Sequence, residues 1–449
     1  MPTELLQQVR VIDPISNTDR VTNVLIADGI VQAIGDAIAD SSDATEVQDC
    51  RGLVLGSGLV DLYSHSGEPG FEERETLQSL LQAASAGGFT RIAILPDTKP
   101  AIDHPGSVAW VQNRWQELKG EGRVRGADGA GEAWMQASDP TPNSRLPIPH
   151  LYCWGALTLA VQGQQMTELG ELAATGIVGF ADSRSLTSLL LVRRLLEYLH
   201  PIAKPIALWA SDLALSGNGV MREGQAALRF GLPGIPTIAE TTALSALLEC
   251  VETTGTPVHL MRLSTARGVA LVQAAKTRGL PITASTTWMH LLLNSEAIGS
   301  YDPNLHLAPP LGNPDDQDAL IQGVQSGTID AIAIDHTPYT YEEKTVAFAE
   351  APPGTIGLEV ALPLLWQALV ATGKWTALDL WRSLSSRPAL CLQQKAATIA
   401  PGQPAELTLF DPQQVWTVDA RSLKSLSVNT PWFQQDITGR VVRTWVGKG

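Results

Sequence analysis

Asp61, Tyr63, His65 and Glu68 lie close together at the end of an apolar run, Leu53 to Val60, that reads as a buried strand. A phenol, an imidazole and two carboxylates can bind a metal or move a proton. In a parallel α/β fold the loops after the strand C-termini build the active face, so the placement matters as much as the residue types. A His-x-His pair would put two imidazoles on one side of the strand, because alternate side chains share a face. Here the first member is Tyr63 and only His65 is an imidazole. The question for the rest of the chain is whether a metal site survives.

The elements that position these groups are legible in the middle of the chain. A helix over Thr76 to Ala86 precedes the apolar strand Thr90 to Leu95, and a helix at 165–174 precedes Gly176 to Phe180. Strands at Pro205 to Trp209, Val258 to Leu263, Pro281 to Ala284 and Ile329 to Ile334 continue the series. Short apolar strands separated by helices predict parallel pairing, and this many units closes into a (β/α)8 barrel more often than an open sheet. The two ends differ. Val9 to Ile12, Asn23 to Ile26 and Ile30 to Gly35, with the turn Asp28-Gly29, read as hairpins, and so do Ala405 to Asp411 and Arg440 to Val446. The expected organisation is a small β-sandwich from residues 1–55 and 397–449 around a barrel over 56–396, with a Gly-, Ser-, Asp- and Pro-rich flexible insertion at 120–146.

Bulk properties exclude several function classes. The 449 residues carry a formal net charge of −15, which argues against nucleic-acid binding, where Lys and Arg must displace phosphate counterions. No apolar run approaches the roughly 18–20 residues of a membrane span, and no basic-then-apolar leader opens the chain. The four cysteines, Cys50, Cys153, Cys250 and Cys391, are far apart and form neither a disulfide framework nor a zinc knuckle. A cytoplasmic protein without membrane or nucleic-acid partners is expected.

With these residues laid out, the chain resembles dihydroorotase, of the amidohydrolase superfamily, along nearly its whole length. The resemblance rests on Gly58-Leu59-Val60-Asp61 with His65 and Glu68-Pro69-Gly70, on Ala86-Gly87-Gly88-Phe89-Thr90, and on Leu95-Pro96-Asp97-Thr98-Lys99-Pro100. It continues through His259 with Ser264-Thr265-Ala266, Ala308-Pro309-Pro310-Leu311, Gly327 to Ala333 with Asp335-His336, Gly357-Leu358-Glu359 and Asn429-Thr430-Pro431. It implies the barrel with a terminal β-domain, and zinc-assisted interconversion of N-carbamoyl-aspartate and dihydroorotate in pyrimidine synthesis.

Carried over position by position, the resemblance points to a damaged site. His65, Asp182 and Asp335 match metal ligands, but Tyr63, Trp209 and Arg262 stand where the family has histidines. On the substrate side Gly67 and Gly312 replace arginines, Asp97 replaces the Asn of Pro-Asn-Thr, and Tyr339 replaces the last His of Asp-His-x-Pro-His. Arg binds a carboxylate bidentately, so its loss removes attraction for a carboxylate substrate, and Asp97 is expected to add repulsion. Arg262 bears on the metal directly. At an effective dielectric near 20, a guanidinium about 4 Å from a dication opposes it by roughly 8 kcal/mol. The expectation is that Arg262 replaces the metal electrostatically by pairing with Asp182 and Asp335.

Plainer readings stand beside these. His65 is either a residual ligand or a hydrogen-bonded barrel-end histidine, His259 a satisfied core histidine, and His290 a structural one. Glu223 and Glu240 read as capping or pairing residues, and Asp302 to Asp318 as a solvated face. The expectation is a catalytically inactive dihydroorotase-like protein without a cofactor. Further copies of the chain and aspartate carbamoyltransferase are its expected partners, the latter through the resemblance. The alternative is an active cyclic amidohydrolase with a reduced zinc site of His65, Asp182 and Asp335, with Asp335 as the catalytic base.

Overall fold

The apolar run Leu53 to Val60 is not one strand but two, and the break organises the molecule. In the computed structural model, which describes residues 3–36, 38, 46–124 and 146–447, Gly58 separates β5 from β6. A Cβ at Gly58 would stand 2.3 Å from Thr90 Oγ1, so the chain crosses from one sheet to the next where only glycine fits.

The first sheet comes from both ends of the chain. It contains β1 (Glu4–Asp13), β2 (Thr18–Ala27), β3 (Ile30–Ile34), β4 (Glu46–Asp49) and β5 (Val54–Ser57). The barrel strands are β6 (Leu59–Ser64), β7 (Phe89–Ile94), β8 (His150–Gly155), β9 (Gly179–Ala181) and β10 (Ile206–Trp209). After the short pair β11 (Met221–Arg222) and β12 (Gly234–Ile235) come β13 (Val258–Met261), β14 (Ile282–Thr287) and β15 (Ala331–Ala333). The chain then returns to the first sheet with β16 (Leu407–Thr417) and β17 (Asp436–Trp445); β5 pairs antiparallel with β16, which joins the two ends into the β-sandwich domain.

The eight barrel strands run parallel in the order β15-β14-β13-β10-β9-β8-β7-β6. Backbone bonds stitch the seam between β15 and β6, from Asp335 N to Tyr63 O (3.1 Å) and from His65 N to His336 O (2.8 Å). The protein is a (β/α)8 barrel with a terminal β-domain. Its interior is filled by small residues, Ala93, Ala181, Ala207, Ala331 and Ala333, around Trp154 and Tyr63, a packed core and not a pore. One barrel strand, β8, is absent from the sequence reading; alternating partial exposure at His150 and Tyr152 dilutes the apolar signal there.

Helix α1 (Leu77–Ala86) shows how locally consistent the barrel is. Thr76 caps it through Ser79 N in a reciprocal capping box, and Leu77, Leu80, Leu81 and Ala84 face the core. Helix α2 (Pro105–Val124) covers the first residues of the expected insertion at 120–146, most of which lies outside the described residues. Barrel and terminal sheet are locked by Glu406, which accepts from Thr90 Oγ1 and from Arg91 Nε and Nη2, each at 2.7 Å. Among the described residues no helix is long and apolar enough to cross a membrane.

Candidate active site

The residues at the matched metal positions, with Asp97, stand at or just past strand C-termini: Tyr63 and His65 at β6, Asp97 after β7, Asp182 after β9, Trp209 at β10, Arg262 after β13 and Asp335 after β15. They meet at one end of the barrel beneath a cavity of about 590 Å³, whose lining includes His65, Asp97, Trp209, Arg262, Asp335 and Tyr339.

Arg262 is its centre. The guanidinium is 4% exposed and grips Asp335 with two parallel bonds, Nε to Oδ2 at 2.7 Å and Nη2 to Oδ1 at 2.6 Å. Nη1 donates to the carbonyl of Ser183 at 2.8 Å. The arrangement is the strong fork-on-carboxylate geometry that arginine favours. Both partners have left-handed backbones, φ +57° for Arg262 and +52° for Asp335, a conformation costing on the order of 1 kcal/mol or more per residue. Burial works against ionising Asp335, but Arg262 and His65 outweigh it and hold its carboxyl well below the usual carboxylate range.

Arg262 joins the three positions where the resemblance implies histidines. Arg262 lies over the rings of Tyr63, at 5.5 Å, and Trp209, at 5.2 Å, and its backbone N–H donates to Tyr63 Oη at 3.2 Å. Two aromatic faces and an anion suit a guanidinium. The substitutions form one packed unit.

His65 and Asp97 complete a charge-balanced quartet. His65 Nδ1 is 2.8 Å from Asp97 Oδ2, and Nε2 is 3.6 Å from Asp335 Oδ1. Burial alone would lower the His65 pKa, but Asp97 and Asp335 raise it to about 9, so the ring is an imidazolium. Arg262 Nη2, 3.2 Å from His65 Nε2, is then a second donor aimed at the same carboxylate. The repulsion expected from Asp97 is thus not its main effect. Desolvation of the half-buried Asp97 works against its ionisation, but it is held below the usual carboxylate range, chiefly by His65, and supplies the anion that keeps this histidine charged.

Asp182 departs from expectation. It does not pair with Arg262; it accepts from Leu157 N at 2.9 Å, Thr158 N at 3.3 Å and Thr158 Oγ1 at 2.5 Å. With neutral donors alone, burial pushes its pKa up to about 6. The signal for Thr158 was hidden because it follows β8, the strand not recognised.

Gly67 and Gly312, where the resemblance implies arginines, are closely packed by their surroundings. A Cβ at Gly67 would lie 2.3 Å from Glu75 O and 2.4 Å from Phe71 O, and one at Gly312 would lie 2.9 Å from Ser264 O. Tyr339 donates to Pro353 O at 3.3 Å and lies under the Arg74 guanidinium. Arg74, which the sequence reading passed over, is ion-paired with Glu343.

The remaining candidates are structural in their contacts. His259 bonds Thr283 and Ser285, each at 2.9 Å, and burial lowers its pKa to about 3. Ser285 continues to Tyr63 Oη at 2.9 Å, but Ser285 is fully buried and offers no nucleophile to the cavity. His290 sits between Thr287 and the Pro310 carbonyl. Glu240 accepts from Ser264 and Thr265, whereas Asp316, expected on a solvated face, is buried and accepts from Ala266 N and Asn313 N.

Three comparisons place the chain. The family model described as dihydro-orotase-like matches residues 52–125. A probable dihydroorotase-like protein of Synechocystis sp. is 44% identical over 453 residues, covering 98% of this chain and 99% of that protein. A dihydroorotase of Pelobacter propionicus is 37% identical over 98% of this chain and 97% of its own length. The chain belongs to the dihydroorotase family. In fold it is similar to the L-hydantoinase (dihydropyrimidinase) of Arthrobacter aurescens, with a TM-score of 0.79 at 20% identity, covering 100% of this chain and 97% of that one.

The family's zinc does not fit the residues present. Of the three matched ligands, Asp182 is taken by Thr158, Asp335 by Arg262, and His65 by Asp97. Among the described residues no three His, Cys, Asp or Glu side chains are grouped to hold a metal. A dication would have to displace a buried guanidinium and a charged imidazole, which oppose it by several kcal/mol each at contact.

Proposed function

We propose that this chain is a catalytically inactive dihydroorotase-like protein of the pyrimidine-biosynthesis family, cytoplasmic, without zinc, and kept for a structural role in a complex. The observation that carries the reading is the two-bond grip of Arg262 on Asp335, at 2.7 and 2.6 Å, in the place of a metal. The carboxylate that would accept a proton from a metal-activated water is already neutralised and held in its ionised, weakly basic state. Closure at Gly67 and Gly312 supports the same reading, because the arginines expected to receive a substrate carboxylate have no room to return. Aspartate carbamoyltransferase is the partner we propose, with self-association of the chain.

Metal analysis of the purified protein, with an assay of dihydroorotate hydrolysis, tests the inactivity. The expected result is zinc far below one per chain and no turnover above buffer. Stoichiometric zinc with turnover would establish instead the reduced-site amidohydrolase using His65, Asp182 and Asp335. For the partner, co-elution with the host's aspartate carbamoyltransferase on a sizing column is expected, and two independent peaks would refute it.

A further inference from the structure

The main cavity, about 590 Å³, opens above a floor of ion pairs, and what its wall still offers defines what it can take. Four cations stand in that wall: His65, Arg74, Arg184 and Arg262. His65 and Arg262 are spent on Asp97 and Asp335 in the floor, and Arg74 is ion-paired with Glu343. Arg184 is different. It stands in the loop after β9, two positions past Asp182, and is exposed. Its side chain has no ion pair or hydrogen bond among the described residues. Nothing there holds the long side chain elsewhere, so its guanidinium is free to meet a ligand at the cavity mouth.

The rest of the wall has little polar left to give. Its serine and threonine hydroxyls have partners within the protein: Ser66 with Glu68 O, Ser183 with Asp97, Ser185 with Ser211 O, Thr287 with His290, Thr337 with Asp335 O and Thr355 with Asn429 O. Ser211 N donates back to Ser185 Oγ at 3.1 Å, which ties the loop carrying Arg184 to the loop that leads into Leu213. Leu213 is 47% exposed, and with Leu307, Pro309 and Pro353 it gives the wall an apolar side. An unpaired arginine and an exposed leucine thus stand on two loops bonded to each other.

These groups select a ligand. A guanidinium takes a carboxylate in two parallel bonds, whereas a second negative charge would face Asp97 and Asp335. A polar ring would leave its own donors and acceptors unmet against hydroxyls already engaged, so an apolar body is favoured. Room is ample, since a cavity of roughly 150 Å³ takes benzene. We propose that the main cavity is a binding site for an apolar monocarboxylate, its carboxylate on Arg184 at the mouth and its body against Leu213 and the prolines. This rests on the reading of the chain as zinc-free, because it needs a floor without metal.

Calorimetric titration of the full-length protein with phenylacetate, phenylacetamide, phenyl phosphate and dihydroorotate tests the site. Phenylacetate should bind about fivefold more tightly than phenylacetamide at low salt, the scale of a partly exposed ion pair, and the gap should narrow at high salt. Arg184→Met should erase the acid's advantage and leave amide binding unchanged. Leu213→Glu should weaken both, the acid more; both positions are exposed, so both variants should fold. Equal affinity for acid and amide, an advantage that survives Arg184→Met, binding unchanged in Leu213→Glu, or no binding of either compound would overturn the site. Tighter binding of phenyl phosphate would overturn the single charge, and tighter binding of dihydroorotate the apolar body. Zinc content and turnover of the same preparation separate the two failures: zinc-free protein that does not bind refutes this site alone, whereas zinc-loaded protein that turns over refutes the reading beneath it.

Discussion

Asp335, half-buried, and Asp182, buried, are both carboxylates at barrel strand ends, and the protein satisfies them by opposite means. On the β13–β15 side, Asp335 is surrounded by cations, Arg262 in two bonds and His65 at 3.6 Å. On the β8–β9 side, Asp182 receives only neutral donors, two backbone N–H groups and a threonine hydroxyl. The result is a carboxyl pushed below its ordinary range in one place and raised to about 6 in the other. Each carboxylate takes the donors that its own loops supply. Charge neutralisation couples four residues from distant parts of the chain, whereas hydroxyl capping needs one neighbour.

The largest effect should come from breaking the charged side. Arg262→Met leaves the half-buried Asp335 with only the imidazolium for company and should lower unfolding free energy by about 2–4 kcal/mol, read as a shift in urea midpoint. Adding Asp335→Asn to Arg262→Met should recover much of that loss, because the second change removes the stranded charge. A double variant no more stable than the single one would break the ion-pair account.

Next in size is the pH dependence. His65 rises from 6.5 to about 9 on folding, so its contribution is fully present below pH 6.5 and is lost as pH climbs through 9. Asp335 behaves inversely, with a contribution present above its ordinary 3.8 and lost as pH falls through its lowered folded value. The quartet therefore stabilises best between about pH 4 and 7. Urea midpoints should fall between pH 7 and 10 in the native chain and stay flatter in His65→Gln. An equal fall in both proteins would place the titrating group elsewhere.

The neutral side should respond less. Thr158→Val removes one donor from Asp182 and should cost about 1–2 kcal/mol near pH 7, and less at about pH 3, below both the unfolded 3.8 and the folded value of about 6, where the carboxyl is mostly protonated on both sides of unfolding. Smallest to observe, though most direct, is the contrast in titration. With aspartate 13Cγ labelling, the Asp182 signal should move near pH 6 and that of Asp335 should stay constant down to pH 3. Coincident titration would erase the difference between the two regions.

Much of this was legible without coordinates. Alternation of apolar strands and helices prescribed the barrel, because each strand must bury both faces and each helix one stripe. Tyr63, Trp209 and Arg262 stood out because the residues around them keep the family pattern. The two-strand break at Gly58 was not legible, since an apolar run carries no mark of which sheet each half joins. Nor was β8, where polar residues interrupt the run.

The sequence by itself determined which chemical groups stand at the strand ends, that Tyr63, Trp209 and Arg262 stand where the resemblance implies imidazoles, and that a guanidinium lies among carboxylates. Only the tertiary structure decided who pairs with whom. Arg262 could have met Asp182, Asp335 or both; it took Asp335, 73 positions away, while Thr158 took Asp182. Asp97 read as a repulsive substitution until the fold placed it on His65, 32 positions earlier. Hydrogen bonds and ion pairs act over a few ångströms, and distance along the chain says nothing about which of several buried partners will be within that reach.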